Sequence, residues 1–192
     1  HRPYKPRPEL QEKHIGRSLS FRELRRLNEN VAYPWEFADD LQNGSVNEKD
    51  VEDVRGLYAG EVETVDEHLA RVREILADAG VLEDTLIVVT SDHGENLGEA
   101  DERGLRRMGH EASVSDAVLR VPLLVAHPEL EKRTVSEPVS LKDLFGLFVD
   151  GTDELLSSRG HKVPELLPFD GATASQYPAT GGEKFFERHP DV

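Results

Sequence analysis

The chain has 192 residues, 23 Lys plus Arg against 38 Asp plus Glu, and a formal net charge of −15, with 37% hydrophobic and 32% charged residues. One ordinary domain with a lean core fits that length, and so acidic a chain is poorly suited to nucleic-acid backbones, which select clustered Lys and Arg. Zero cysteines exclude disulfides, thiolate metal sites and a cysteine nucleophile within the chain. No apolar run reaches the roughly 18 residues of a membrane span, and His1-Arg2-Pro3-Tyr4-Lys5-Pro6-Arg7-Pro8 contains no apolar signal core. The first residue is not Met, so the expectation is a processed, tagged or excised chain. Acidic residues spread along the whole length suit a protein kept hydrated in high salt, and a salt-loving source stands beside the plain reading that net charge only opposes association.

In chain order, residues 1–19 are Pro-rich and basic and read as an extended arm. Ser20 can cap a short helix with Glu23 at the capping-box position and Leu24 and Leu27 on one face. Pro34, Asp39, Asp40, Asn43 and Gly44 mark a loop, pinned to the body by Tyr33, Trp35 and Phe37. The strongest helical pattern runs from Asn47 to Ala79. Val51, Val54, Tyr58, Val62, Val65, Leu69, Val72 and Leu76 form one apolar stripe at steps of three and four, expected to lean on a sheet. Asn47 suits an N-cap and Gly80 a left-handed C-terminal residue. Gly56 and Gly60 predict a bend or break in the first half.

Two strands follow. Thr85 to Thr90 is a continuous apolar, β-branched run of the kind covered on both faces. Leu119 to Ala126 repeats it, and Pro122 places that strand at an edge or at its own start. A short helix from about Leu141 to Val149 carries Leu144, Phe145 and Phe148 on its apolar face. Residues 151–192 read as an irregular extension. The fold class is α/β, a mostly parallel sheet flanked by helices. The expected organisation is 1–46 (arm, short helix and loop), 47–150 (α/β segment with the metal-site motif) and 151–192 (extension).

The chemistry concentrates in Ser91-Asp92-His93-Gly94-Glu95-Asn96-Leu97-Gly98-Glu99, directly after the first strand, where open α/β sheets collect ligands. A carboxylate and an imidazole on one tight turn can face a single cation. Asp suits Ca²⁺ or Mg²⁺, and the neighbouring His admits Mn²⁺ or Zn²⁺. The plain alternative is a turn aspartate beside an ordinary loop histidine.

The wider string resembles the C-terminal portion of the sulfatase family, in the alkaline-phosphatase superfamily. The resemblance covers roughly residues 55 to 150. It comprises the acidic, Val-rich helix around Tyr58 to Asp66, then Ser91-Asp92-His93-Gly94-Glu95 and Leu97-Gly98-Glu99. Gly109-His110, Asp116 and Leu119-Arg120-Val121-Pro122-Leu123-Leu124-Val125 follow in the same order. His1-Arg2-Pro3-Tyr4 is similar to the family's His-x-Pro-Tyr segment.

The resemblance implies a partial sulfatase-like fold and metal-assisted hydrolysis of a sulfuric ester. The divalent cation is usually Ca²⁺, with Mn²⁺, Mg²⁺ or Zn²⁺ as alternatives. It matches Asp92 and His93 to metal ligands, His110 to the catalytic position that contacts the ester or leaving-group oxygen, and His1 to a donor toward the anion. Arg120 is taken as structural, Asp101 to Arg107 as solvated surface, and His14, His68, His127, His161 and His189 as ordinary histidines.

Departures from the family pattern matter equally. No Ser-x-Pro-x-Arg or Cys-x-Pro-x-Arg nucleophile motif occurs, no early acidic metal pair is present, and Ala100 stands where many members place a histidine. The expectation is therefore half of an active site: a chain inactive alone, completed by a missing N-terminal half or a partner chain, and acting on a small-molecule or glycan sulfate ester. Two alternatives stand beside it. One is a phosphonate or phosphodiester hydrolase of the same superfamily; the other is a non-catalytic, acidic, ion- or partner-binding protein.

Overall fold

The structure is a computed structural model. It describes residues 1–32, 37–101, 104–111, 113–128, 130, 132, 134–136, 139–142 and 144, with the backbone of 173–174. The chain divides into two compact units: His1–Arg71 with His93–Arg120, and Val72–Asp92 with Val121–Val192. Tyr33 and Trp35, the 145–149 stretch of the last expected helix and nearly all of 151–192 lie outside the described residues.

The first unit begins with a helix where an extended arm is expected. Helix α1, Pro8–Ile15, has Pro8 in its first turn and ends at Gly16, whose φ is 81° and whose N–H donates to Glu12 O at 2.9 Å. Proline tolerates the first turn because its missing N–H would be unpaired there, and glycine closes a helix in the left-handed region. Eight residues offer too few apolar positions to display a period, so these two punctuation residues are the legible signal. Ser20 accepts from Glu23 N and Glu23 reaches back to Ser20 N, the expected capping box, at the start of α2, Phe21–Arg26. One wide turn of π-helix, Leu27–Val31, continues it. Helix α3, Phe37–Asn43, occupies the expected loop, and Phe37 is fully buried.

Helix α4, Glu48–Asp78, begins where Asn47 Oδ1 accepts from Asp50 N at 3.1 Å, and ends before Gly80 at φ 69°. It runs unbroken through both glycines. A Cβ at Gly56 would lie 2.6 Å from Ile15 Cγ1 and 3.0 Å from His14 O, and one at Gly60 would lie 2.7 Å from Pro6 Cγ. The glycines serve close approach of the N-terminal segment, and that packing offsets their low helix propensity. Val51, Val54 and Leu57 pack with Tyr4, Leu27, Phe37 and Met108 in the core, each such burial contributing about 1.5–3 kcal/mol. The N-terminal residues are also tied to the acidic side of α4: Lys5 N donates to Glu61 at 2.5 Å, His14 pairs with Glu63 at 2.8 Å, and Arg7 pairs with Glu67. Of the expected sheet contact, the described residues show Val51 packed with Met108 and facing Gly98, both on strands, while the rest of the first half meets helices; Val65, Val72 and Ile75 are more than half exposed.

Two short strands complete this unit. Strands β2, Asn96–Ala100, and β3, Arg106–Gly109, form an antiparallel, bulged pair closed by the Asp101–Leu105 turn. Neither shows an alternating pattern, because Gly98 and Glu99 interrupt one and adjacent arginines open the other; cross-strand pairing decides both. Of this charged stretch, Glu102 and Arg103 lie outside the described residues; Arg106 pairs with Glu48 and Arg107 with Asp101, each half-buried on the arginine side. A short helix, α5, Asp116–Leu119, takes in only Leu119 of the second expected strand, and Arg120 pairs with Asp116 at 3.2 Å in the open.

In the second unit, β1, Ile87–Thr90, pairs with β4, Leu123–Ala126, which starts directly after Pro122. The α/β class holds, but the direction differs from the parallel sheet expected: the pair is antiparallel. Thr90 sits opposite Leu123, and Thr90 Oγ1 donates to Pro122 O at 2.8 Å. The chain therefore returns to the end of the strand it left, which forces opposite directions. Strand β5, Thr134–Val135, and strand β6, Thr173–Ala174, form a two-residue parallel pair. Leu123, Val125 and Leu144 form this unit's core with Leu86 and Val88 against them, while β1 itself is half-buried rather than covered on both faces. No helix among the described residues is long and apolar enough to cross a membrane.

Candidate functional site

Three histidines from three distant motifs meet in the first unit. One ring nitrogen each from His1, His93 and His110 lies within 4.8 Å of those of the other two. The His93 and His110 ring centroids are 4.0 Å apart, His1 and His110 are 5.0 Å apart, and His1 and His93 are 6.2 Å apart. His1 is exposed and the other two are half-buried. Asp92 is an exposed residue just past β1, adjacent in sequence to His93 but assigned to the second unit.

Backbone geometry brings the rings together. Gly94 N donates to Val118 O at 2.8 Å, and a Cβ on Gly94 would lie 2.0 Å from Ala117 O. Only glycine lets the His93 turn lie this close to α5. On the other side Gly109 takes φ 75°, turning the chain out of β3 into His110. Asn96, buried, donates to Gly109 O at 2.6 Å and to Ser113 Oγ at 3.1 Å, and accepts from Ser115 Oγ at 2.6 Å. That network ties the His93 loop to the His110 loop.

The His1 end is tied just as closely. Arg2 donates to Ala32 O at 2.6 Å and pairs with Glu111. Asn28, in the π-helical turn, accepts from Tyr4 N at 2.6 Å and donates to Tyr4 O at 3.0 Å. An open hollow of about 420 Å³ lies beside this segment, lined by His1, Arg2, Pro3, Asn28 and Glu29.

Beneath the histidines runs a buried chain of hydrogen bonds. Tyr4 Oη donates to Glu95 Oε2 at 2.7 Å, and Glu95 Oε1 accepts from His110 Nδ1 at 2.9 Å. Burial, with Glu95 beside it, pushes the Tyr4 hydroxyl well above the ordinary tyrosine range, so it stays protonated and remains the donor. Sequence reasoning singled out His1, His93 and His110, and the structure brings these three together; it missed Tyr4, Glu95, Asn28 and Asn96 as their supports. Tyr4 and Glu95 lay inside the quoted motifs, but their partnership spans 91 residues and no local pattern announces it.

The Sulfatase family model matches residues 14–153, a range that includes Asp92, His93 and His110 and begins after His1. The chain is 36% identical over 131 residues to the multifunctional alkaline phosphatase superfamily protein PehA of Trinickia caryophylli, covering 65% of this chain and 24% of that protein. It is 38% identical over 102 residues to the steryl-sulfatase of Mus musculus, covering 48% and 16% of the two chains. It is 31% identical over 135 residues to the choline-sulfatase of Rhizobium meliloti, covering 70% and 24%. The chain thus spans about a quarter, or less, of the relatives it matches. A family model that takes in most of the sequence shows that the chain belongs to the sulfatase family.

Proposed function

We propose that this chain supplies the late half of the active site of a metal-dependent sulfuric ester hydrolase. The observation that carries the reading is the convergence of His1, His93 and His110 from three separate family motifs. In this reading His110 is the general acid that protonates the departing alcohol, and a positioned imidazole suits that step. Glu95 fixes the ring by accepting from Nδ1, which leaves Nε2 for the ester oxygen. His1 donates a hydrogen bond to the sulfate.

Asp92 and His93 are the chain's contribution to the divalent cation of the family. A bound cation offsets negative charge on the anion. Ca²⁺ takes six to eight oxygen ligands, so one carboxylate and one imidazole are only part of its shell, and the rest comes from outside this chain. With no Cys/Ser-x-Pro-x-Arg motif in the sequence, the chain alone does not turn over substrate.

A second substrate class has one specific support. PehA is a multifunctional member of the alkaline phosphatase superfamily, so phosphonate and phosphodiester substrates belong in the same test. The experiment is steady-state kinetics of the complete enzyme on matched aryl sulfate, phosphodiester and phosphonate esters. A kcat/KM that favours sulfate, and that collapses in Asp92→Ala, supports the reading. An unchanged rate in Asp92→Ala removes the metal assignment, and a preference for the phosphorus esters moves the protein to the second class.

A further inference from the structure

Helix α4 turns apolar side chains to water along its second half. Val62, Val65, Leu69, Val72 and Leu76 recur at steps of three and four, which sets them on one face about 21 Å long. Val62, Val65, Val72 and neighbouring Ile75 are 41–54% exposed, and Leu69 and Leu76 are half-buried. Earlier turns of the same stripe are closed over: Val51 and Val54 lie in the core with Leu27, Phe37 and Met108.

The opposite face of the helix is the covered one. Gly56, Gly60, Glu63 and Glu67 lie on the far side from the stripe. Ile15 and Pro6 pack against the two glycines, and His14 and Arg7 pair with the two glutamates. The chain thus covers the polar side of α4 and leaves its apolar side to water, the reverse of a helix whose packing is complete. Contiguous apolar surface of this kind marks an interaction face.

Two observations name the occupant. The matched relatives are covered over 24% of their length or less, so roughly three quarters of such a chain has no counterpart in these residues. The family match, residues 14–153, takes in the whole of α4, so the helix belongs to the part that these longer chains share. A second copy is the poorer occupant, because each chain carries a net charge of −15 and like charges oppose self-association.

We propose that the face of α4 from Val62 to Leu76 is a docking surface for the rest of a longer sulfatase-family polypeptide, which lays an apolar face along it. This assignment rests on the late-half reading of the chain and names the surface by which the other part attaches.

The test is carbene footprinting, read residue by residue, on the 192-residue chain and on the complete protein purified from its source cells. In the 192-residue chain, Val62, Val65, Val72 and Ile75 should label strongly. In the complete protein their labelling should fall about 10-fold, the step from half exposure to full burial. Arg71 and Glu74, exposed on the far side of α4, should keep theirs. Val65→Lys should leave the urea midpoint of the 192-residue chain in place and lower that of the complete protein, where the charge meets an apolar face. Scaled to the urea-unfolded protein, labelling of the complete form decides the matter even where the 192-residue chain aggregates. Equal labelling in the two forms overturns the proposal. So does a native mass of 21.5 kDa, or a stripe shielded in the 192-residue chain as it dimerises, which would make a second copy the occupant. Labelling is read without substrate, so the two readings fail separately. A complete protein with a shielded stripe and no ester hydrolysis keeps this surface and loses the ester reading; an active protein with an open stripe does the reverse.

Discussion

Glu95 joins Tyr4 to His110: one carboxylate oxygen accepts from the Tyr4 hydroxyl at 2.7 Å and the other accepts from His110 Nδ1 at 2.9 Å. The carboxylate is buried, so each of these bonds replaces a water it cannot reach. Tyr4→Phe keeps the shape and deletes one donor, leaving a buried acceptor short of a partner at a cost of about 1–3 kcal/mol. Urea unfolding should show a lower midpoint with an unchanged m-value. An unmoved midpoint would mean that water replaces the phenol.

Gly94→Ala tests the approach of the His93 turn to α5. The new Cβ would lie 2.0 Å from Ala117 O, which is backbone and cannot rotate away, so the Gly94–Val118 hydrogen bond must open. The expected outcome is a loss of stability of about 1–3 kcal/mol, the range for overpacking. His93 and His110 should also separate, seen as changed imidazole chemical shifts at both residues. A variant whose histidine shifts match the parent would show that the turn moves without disturbing the cluster.

Gly56→Ala sets two effects against each other. Alanine gains up to about 1 kcal/mol in helix propensity over glycine, while its methyl meets Ile15 and the backbone of His14, a clash worth about 1–3 kcal/mol. The clash should win, lowering the melting temperature and loosening α1, with faster amide exchange from Leu10 to Ile15. A higher melting temperature would mean that α1 is not seated against α4.

Acid should attack the start of α4. The Arg26 guanidinium beside it, opposed by partial burial, holds the Asp50 carboxyl below its ordinary value, and Asp50 also accepts from Asn47 N. A folded-state value depressed below the unfolded one means that stability is present above the unfolded value and is lost as pH falls through the folded one. Glu23 and Glu48, lowered by Ser20 and Arg106 respectively, add to the same limb. Asp50→Asn should be less stable than the parent at neutral pH, with the difference closing below the ordinary aspartate range. Parallel stability curves down to that range would remove Asp50 as the acid-sensitive group.

In the complete enzyme, His110→Ala should slow esters of poor leaving groups most, because those depend on protonation of the departing oxygen. Plotted against leaving-group pKa, log kcat/KM should fall more steeply for the variant. Equal slopes would assign His110 to binding alone.

Local signals were legible from the sequence by itself. The capping box at Ser20, the Asn47 cap and the left-handed Gly80 all appear as read, because each depends on side chains within a few residues of one helix end. The family motifs were equally legible, since they are strings. Proximity was not. His1, His93 and His110 meet only because Asn96, Gly94 and Asn28 clamp their loops, and the sequence around each histidine carries no mark of the others. The same holds for Gly56 and Gly60, where propensity predicts a bend and the packing of α1 keeps the helix whole. It holds again for β1 and β4: the composition of a strand says that it is apolar, but its direction depends on which end of its neighbour the chain re-enters, and that is decided by the intervening fold.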